Sequence, residues 1–441
     1  MLTPLADMSH PLWGRGYPNY FISYTNEAFA IPPSPTKVPQ MLMKALDTID
    51  EICKLERLRG AAFEETIAKD VTLSMLTALL EMTKLPGHFR WMAEPRLISG
   101  CVGLMSSIKP SPFHYEYGYL CFRILALSVN ACLIEHTGCL DKIIARMDNV
   151  PPLQRFSSLW DASAWLIDQA HNGDTRPASM IRLDVFDKLV LDQLLQLLNG
   201  DRKLFLVVLN MTGSLGLSSV FFILFSRLVA TEITNGSQLE VDSEVFVRII
   251  QPYSRVLWRY LLVTPSSKAE EAAIIALHNS ISAQARLNND KPVDVEDSKN
   301  LVRIFNKRLG ASQSMSTMWM LLMMRFVAPL VVQGCENLVP TTIKLSIELL
   351  WSSLLRGQND MAVVGYSISG TLCYFRDMLQ ALKPRYFNPT HQVWTRQIVD
   401  HVIEGDLVEL VLRAMLTSDR FDSKSYYACF TQTLDRLSLY L

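Results

Sequence analysis

Cys132, His136 and Cys139 carry zinc-ligand chemistry at intervals of four and three residues. That spacing puts all three on one side of a helix, where thiolates and an imidazole could share a tetrahedral ion. A structural site needs a fourth ligand and a catalytic one needs an oriented second shell, and neither is visible nearby. Gly138 also marks a helix end just before Cys139, so the simpler reading is buried thiols and a surface histidine. Gly365-Tyr-Ser-Ile-Ser-Gly370 has the small residues of a nucleophile elbow but one residue too many. The elbow needs a strand before its serine, whereas the context here is helical, which points to close helix packing. His401-x-x-Glu404 lacks the second histidine of the paired-histidine zinc motif. Arg303, Lys307 and Arg308 make a basic face too small for nucleic acid. The methionines between Met315 and Met324 could form an adaptable binding surface or fill a core, and core filling is the commoner use. There is no phosphate-binding glycine loop. No catalytic, cofactor-binding or metal-binding residue is assigned, and no cofactor is expected.

The 441 residues leave room for about three ordinary domains or one elongated repeat structure. Forty-two basic residues against forty-three acidic give a formal charge of -1, which argues against a dedicated nucleic-acid binder. Charged residues make up 19% and hydrophobic ones 49%, so a large core is available and disorder is excluded as a class. The first residues lack the basic start and apolar run of a signal peptide. Eight scattered cysteines do not form a disulfide framework. The expectation is an intracellular protein, cytoplasmic or nuclear, with reduced thiols.

Leu204 to Ser226 runs without a charge for long enough to span a bilayer. Asn210-Met-Thr-Gly-Ser-Leu-Gly216 breaks it in the middle, which predicts two short buried helices joined at Gly213 and Gly216. Membrane association through 204–226 stays open as the minority reading. Other apolar stretches carry mid-run arginines, Arg123 and Arg325, which suits the edge of a soluble core.

Residues 1–39 hold seven of the 21 prolines together with Trp13, Tyr17, Tyr20, Phe21, Tyr24 and Phe29. Proline at that density favours an extended arm, either anchored by its aromatics or left as a tail. From residue 40 the period becomes helical. Leu42, Leu46, Ile49 and Cys53 form one stripe. Phe186, Leu189, Val190, Leu194, Leu197 and Leu198 form a second, closed by Asn199-Gly200. A third runs from Phe246 through Ile249, Ile250, Tyr253, Leu257, Tyr260 and Leu261, with a kink expected at Pro252. Ile343, Ile347, Leu350, Trp351 and Leu354 form a fourth. No sustained alternation of period two appears, so the chain reads as all-α. The polar run 288–298 reads as a linker between helical regions at 40–287 and 299–441.

Gly138-Cys-Leu-Asp-Lys-Ile-Ile-Ala-Arg-Met147 lines up with Gly405-Asp-Leu-Val-Glu-Leu-Val-Leu-Arg-Ala-Met415, and Asn199-Gly200 through Leu209 is a weaker third copy. A left-handed glycine followed by an amphipathic helix resembles the armadillo-type repeat. Tyr115-Glu-Tyr-Gly-Tyr-Leu-Cys-Phe-Arg123 and Val393 to Gly405 extend the likeness. Over most of residues 40–441 the chain resembles uncharacterised fungal all-helical proteins, some of which carry a MYND-type zinc finger downstream. The dense Cys/His spacing of that finger is absent, so the resemblance implies no zinc site. It implies an α-α solenoid of armadillo or HEAT-like helix pairs and a non-catalytic role in binding other proteins. The alternatives are an all-α enzyme or ligand-binding protein with a scattered pocket, and the membrane-associated protein noted above. At the far end, Phe430, Leu434, Leu437 and Leu441 follow helical spacing with no cap after them. Their stripe is expected to pack back on residues near Val399–Leu412.

Overall fold

A computed structural model describes residues 9–25, 31–55, 70–172, 187–213, 216–233, 246–263, 268–282, 291–311, 315–356, 361–383 and 390–417. It is helical almost throughout, and among the described residues the strands are limited to one small ribbon. The chain divides into two compact units, Met1–Arg286 and Leu287–Leu441.

In the first unit, β1 (Ser9–His10) and β2 (Gly14–Arg15) pair antiparallel, with Ser9 opposite Arg15 and His10 opposite Gly14. The helices are α1 (Val38–Lys54), α2 (Leu73–Met82), α3 (Pro95–Ser106), α4 (Glu116–His136), α5 (Leu140–Asp148) and α6 (Pro152–Asn172). They continue with α7 (Lys188–Gly200), α8 (Arg202–Thr212), α9 (Ser218–Ile233), α10 (Gln251–Val263) and α11 (Lys268–Ser282). Short 3-10 turns at Phe21–Tyr24, Pro86–Met92 and Pro112–His114 join or flank them.

Helix α4 organises this unit. A helix that is apolar on all sides belongs in the interior, and α4 is packed by α2, α3, α5, α6 and α9. It is the one described helix long and apolar enough to cross a bilayer, and its apolar window is wholly buried inside the fold. Gly118 lets it in: a Cβ there would lie 1.9 Å from the Pro112 carbonyl oxygen. Arg123 is 4% exposed, so it sits within the core and not at its edge; Arg325 is half-buried. The α4 terminus is set by Gly138 in the left-handed region at φ 68°, with the Cys139 amide donating back to the Ile134 carbonyl at 3.2 Å.

The charge-free run 204–226 folds as two helices, the end of α8 and the start of α9. Gly213 closes α8 at φ 61° and Gly216 precedes α9 at φ 78°. Phe205, Leu206, Val208 and Leu209 on α8, and Val220 to Leu224 on α9, are buried in the unit.

Three local expectations shift. On α7 the inward face is Leu191, Leu194, Leu195 and Leu198, whereas Leu189 is 66% exposed. Apolar residues are so dense there that their spacing does not select one face. Phe186 lies outside the described residues. The departure expected at Pro252 falls just before it: a π-turn at Phe246–Ile250 runs directly into α10, and Pro252 sits in the first turn of α10. The wide turn makes room for the ring, and the missing N–H has little to lose at a helix start. The run 288–298 is not linker throughout, because Val295 to Ser298 open a helix. Asp294 is its cap, accepting from the Asp297 amide at 2.8 Å, while Asp297 accepts from the Val293 amide at 2.9 Å. The acidic letters that read as solvated linker are capping chemistry.

That helix, α12 (Val295–Ala311), begins the second unit, followed by α13 (Thr317–Val327), α14 (Val339–Arg356), α15 (Met361–Ala381), α16 (Thr390–Glu404) and α17 (Leu407–Thr417). Alternate helices pack side by side: α12 on α14 and α14 on α16, then α13 on α15 and α15 on α17. At the α16–α17 joint the left-handed residue is Asp406 at φ 45°, not Gly405. Gly405 is needed for space, since a Cβ there would lie 2.9 Å from Ile347 Cγ2, and its carbonyl accepts from Trp351 Nε1 at 2.7 Å.

Gly216 gives a sharp test of the first unit's packing. An added Cβ would lie 2.0 Å from the Trp160 ring at a positive φ, so Gly216→Ala should cost about 2–4 kcal/mol. Gly200, at the end of α7 with open space around its Cα, should accept alanine within about 1 kcal/mol of neutral. Urea midpoints of the two variants check both; equal losses would refute the tight approach at Gly216.

Candidate functional site

The sequence candidates for metal or nucleophile chemistry come apart in space. His136 is exposed at the last residue of α4, Cys132 is half-buried one turn earlier, and Cys139 lies beyond the Gly138 turn. Cys139 Sγ donates to the Thr137 carbonyl at 3.6 Å. Among the described residues no three His, Cys, Asp or Glu side chains gather closely enough to hold an ion. Seven cysteines there are in no disulfide, and Cys429 lies outside the described residues. Burial pushes the Cys132 thiol up to about 12 and raises those of Cys101 and Cys121 as well.

Gly365 to Gly370 sits inside α15, with no strand before it. Ser367 is fully buried and donates to the Val363 carbonyl at 2.8 Å, while a Cβ at Gly370 would lie 2.5 Å from Leu321 Cδ1. The small residues admit α13. The methionines are part of the same packing: Met320, Met323 and Met324 are fully buried. His401 Nδ1 stands 3.8 Å from Glu404 Oε2, a loose pair at the surface. On α12, Arg303 is engaged by Glu296 at 2.9 Å.

Two clusters of buried polar groups lie in the first unit. In one, Glu270 of α11 reaches the start of α9. It accepts from the Ser218 amide at 2.9 Å and the Ser218 hydroxyl at 2.8 Å, and also from the Tyr260 hydroxyl. The Leu217 amide donates to that same Tyr260 oxygen at 3.2 Å. Asn130 Nδ2 of α4 donates to the Gly216 carbonyl at 2.8 Å. Burial raises the Glu270 pKa against these donors. Ser218, Tyr260 and Glu270 are at most 2% exposed. A carboxylate sealed under four helices orders a turn and presents nothing to a substrate.

The second cluster fastens the N-terminal arm. Arg15 grips Glu116 with two side-chain bonds, at 2.6 and 2.9 Å, and Tyr24 donates to the same carboxylate at 2.7 Å. Tyr20 is fully buried and donates to the Phe113 carbonyl at 2.8 Å. Gly16 bridges Tyr115, and the Tyr117 amide donates to the Trp13 carbonyl at 3.1 Å. Nearby, Asp201 accepts from the Phe113 amide at 3.0 Å. The side-chain partners stand 88 to 101 residues apart, so no local spacing announces them. The only signal was aromatic density in a proline-rich arm.

In the second unit the outward surfaces of α12, α14 and α16 lie side by side. They carry Glu296, Arg303 and Lys307, then Lys344, Glu348 and Leu355, then Val393, Asp400 and Ile403, all exposed. Leu355, Val393 and Ile403 are 70%, 63% and 66% exposed. Charges of both signs and aliphatic groups are mixed among these exposed residues. No protein family, curated protein or solved structure matches the chain.

The buried carboxylates give stability a two-sided pH dependence. Burial pushes Asp201 up to about 6, although Ser111 and the Phe113 amide hold it down. Its folded pKa exceeds its unfolded one, so its contribution is whole below about pH 4 and is lost as pH rises through about 6. A shift of that size is worth roughly 3 kcal/mol. For Glu116, burial alone would raise the pKa, but the bonds from Arg15 and Tyr24 outweigh it and hold it low. Its contribution is present above the ordinary carboxylate range and is lost as pH falls through the lowered value. Asp201→Asn should therefore flatten the loss between about pH 4 and 6, and Glu116→Gln should flatten the loss below about pH 4. Denaturant midpoints across pH 3–8 read both windows; unchanged profiles would refute the assignments.

Proposed function

We propose that this protein is a non-catalytic scaffold that binds other proteins, and that residues 295–417 form a short armadillo or HEAT-like stack of helix pairs whose α12/α14/α16 layer is the binding face. The observation that supports this reading is the packing of every second helix in the second unit. In a solenoid each repeat touches its neighbours in the stack, and like-numbered helices of successive pairs line up in one layer. The pairs are then α12 with α13, α14 with α15, and α16 with α17. In the first unit alternate helices also pack, α1 on α3, α2 on α4 and α4 on α6, but so do helices further apart, α3 on α7, α4 on α9 and α6 on α11, so the solenoid reading is confined to the second unit.

The surface chemistry favours a protein partner. Leu355, Val393 and Ile403 offer aliphatic area, and the acidic and basic side chains between them suit a polar rim that fixes register. The charges do not make the one-signed stripe that a phosphate backbone needs. A photo-crosslinking amino acid placed at Val393 or Ile403 in cells should yield adducts of one shared, discrete mass. The same group at Ile22 or Met43, exposed positions of the first unit, should not. Absent adducts at Val393 and Ile403, or the same adducts from all four positions, would overturn the assignment of this face.

A further inference from the structure

The N-terminal arm is held as a peptide is held by a receptor. Its main chain joins α4 and the turn before it: the Tyr17 amide donates to the His114 carbonyl at 2.9 Å, and the Trp13 carbonyl accepts from the Tyr117 amide at 3.1 Å. Trp13 lies against Tyr115 with ring centres 5.3 Å apart, and Tyr20 and Tyr24 lie against Tyr119 at 5.5 and 5.1 Å. Main-chain pairing gives such a contact its affinity, while the Arg15–Glu116 clasp and the rings give it selectivity. The link from this arm to α1 is of another kind. Of that link residues 31–37 are described, and all but Pro33 are exposed. A 3-10 turn at Pro35–Lys37 folds it toward α1 and buries no side chain. Opening that turn therefore costs little apolar burial. Pro32, Pro33 and Pro35 stiffen the link. A short flexible link would hold the arm at a millimolar effective concentration over its own groove, and a stiff one that fits the closure poorly holds it at less.

We propose that the arm is an exchangeable element: two copies of the chain swap residues 9–25, so that Arg15 of each clasps Glu116 of the other. A second copy is the occupant that fits this groove best, because its arm repeats every contact the chain's own arm makes, down to the bidentate guanidinium. No new surface is required, and exchange of an identical element is a low-cost route to a two-fold dimer. The link alone separates the two forms. Closing onto the same chain folds a proline-rich segment, whereas crossing to a second chain lets that segment extend.

Link length and clasp charge test this separately in the full chain. Deleting Pro32–Ser34 leaves arm and groove intact and shortens the reach of the link by about 10 Å. Light scattering should then report a dimer, while inserting glycine and serine residues at the same place should give a monomer. The unaltered chain, refolded at high protein concentration, should contain a dimer that dilute refolding lacks. In the shortened chain Arg15→Glu should break the dimer, and adding Glu116→Arg to it should restore it. With the natural link, chains carrying Arg15→Glu and chains carrying Glu116→Arg should each stay unpaired alone. Refolded together in equal amounts, they should give heterodimers by native mass spectrometry, because each arm now matches the other chain's groove. The shortened chain keeps both clasp residues, so its mass is decisive even where Glu116→Arg lowers the yield of folded protein. A shortened chain that stays monomeric, a dimer that survives Arg15→Glu, or a mixture that gives only monomers would each overturn the proposal.

Discussion

Four helices of the first unit meet at one turn. The residues from Gly216 to Ser218 leave α8 behind and open α9, and the turn has amide and hydroxyl groups with nowhere local to bond. Glu270 from α11 takes two of the Ser218 donors, Tyr260 from α10 takes the Leu217 amide, and Asn130 from α4 meets the Gly216 carbonyl. Trp160 from α6 closes against Gly216 itself. A buried polar group without a partner costs about 1–3 kcal/mol, and a buried charge more. The Ser218 donors and the Leu217 amide are therefore bonded only when α10 and α11 are in place, while α4 adds a bond to Gly216 and α6 a close contact. The apolar effect draws these helices together without direction; the knot tells them where to stop.

The same logic explains why a proline-rich arm is folded onto the unit. Glu116 opens α4 at a place where the fold buries its carboxylate, and no neighbour in sequence can neutralise it. Arg15 supplies a bidentate partner, which is the geometry that best offsets desolvation. Once Arg15 is fixed, Gly14 must approach closely, and a Cβ there would lie 2.8 Å from Leu73. The aromatics of the arm then fill the surface around Tyr115 and Tyr119. Arm and helix α4 are thus interdependent: the arm has no core of its own, and α4 has no other cation bonded to Glu116 among the described side-chain bonds.

What could be read in the sequence was whatever depends on near neighbours. The helical period identified the all-α class. The glycine break in 204–226 identified two helices, because a left-handed residue leaves a local mark. Gly365–Gly370 read correctly as packing, since a motif lacking its strand has lost its geometric context. What could not be read was anything joining distant segments. Nothing beside Glu270 or Glu116 in the chain marks either as buried, because Ser218 and Arg15, which hold them, lie 52 and 101 residues away. Asp294 and Asp297 looked like linker because capping and solvation use the same letters. On α7 the apolar set was too rich to define a face, so only the tertiary neighbours choose one.

The two units also differ in what a single substitution can do. The first unit adds contacts between segments far apart in sequence, α4 with α9, α6 with α11 and the arm with α4, so a defect at Gly216 or Glu116 is shared by several elements. In the second unit alternate helices carry most of the packing, and a defect stays with its own pair and the next. Exposed side chains on helices packed in this way can vary with little effect on the core. Leu355 stands on α14 and Val393 and Ile403 on α16, and all three are mostly exposed. Exposed aliphatic groups held that way can be varied at little cost to the packing beneath them.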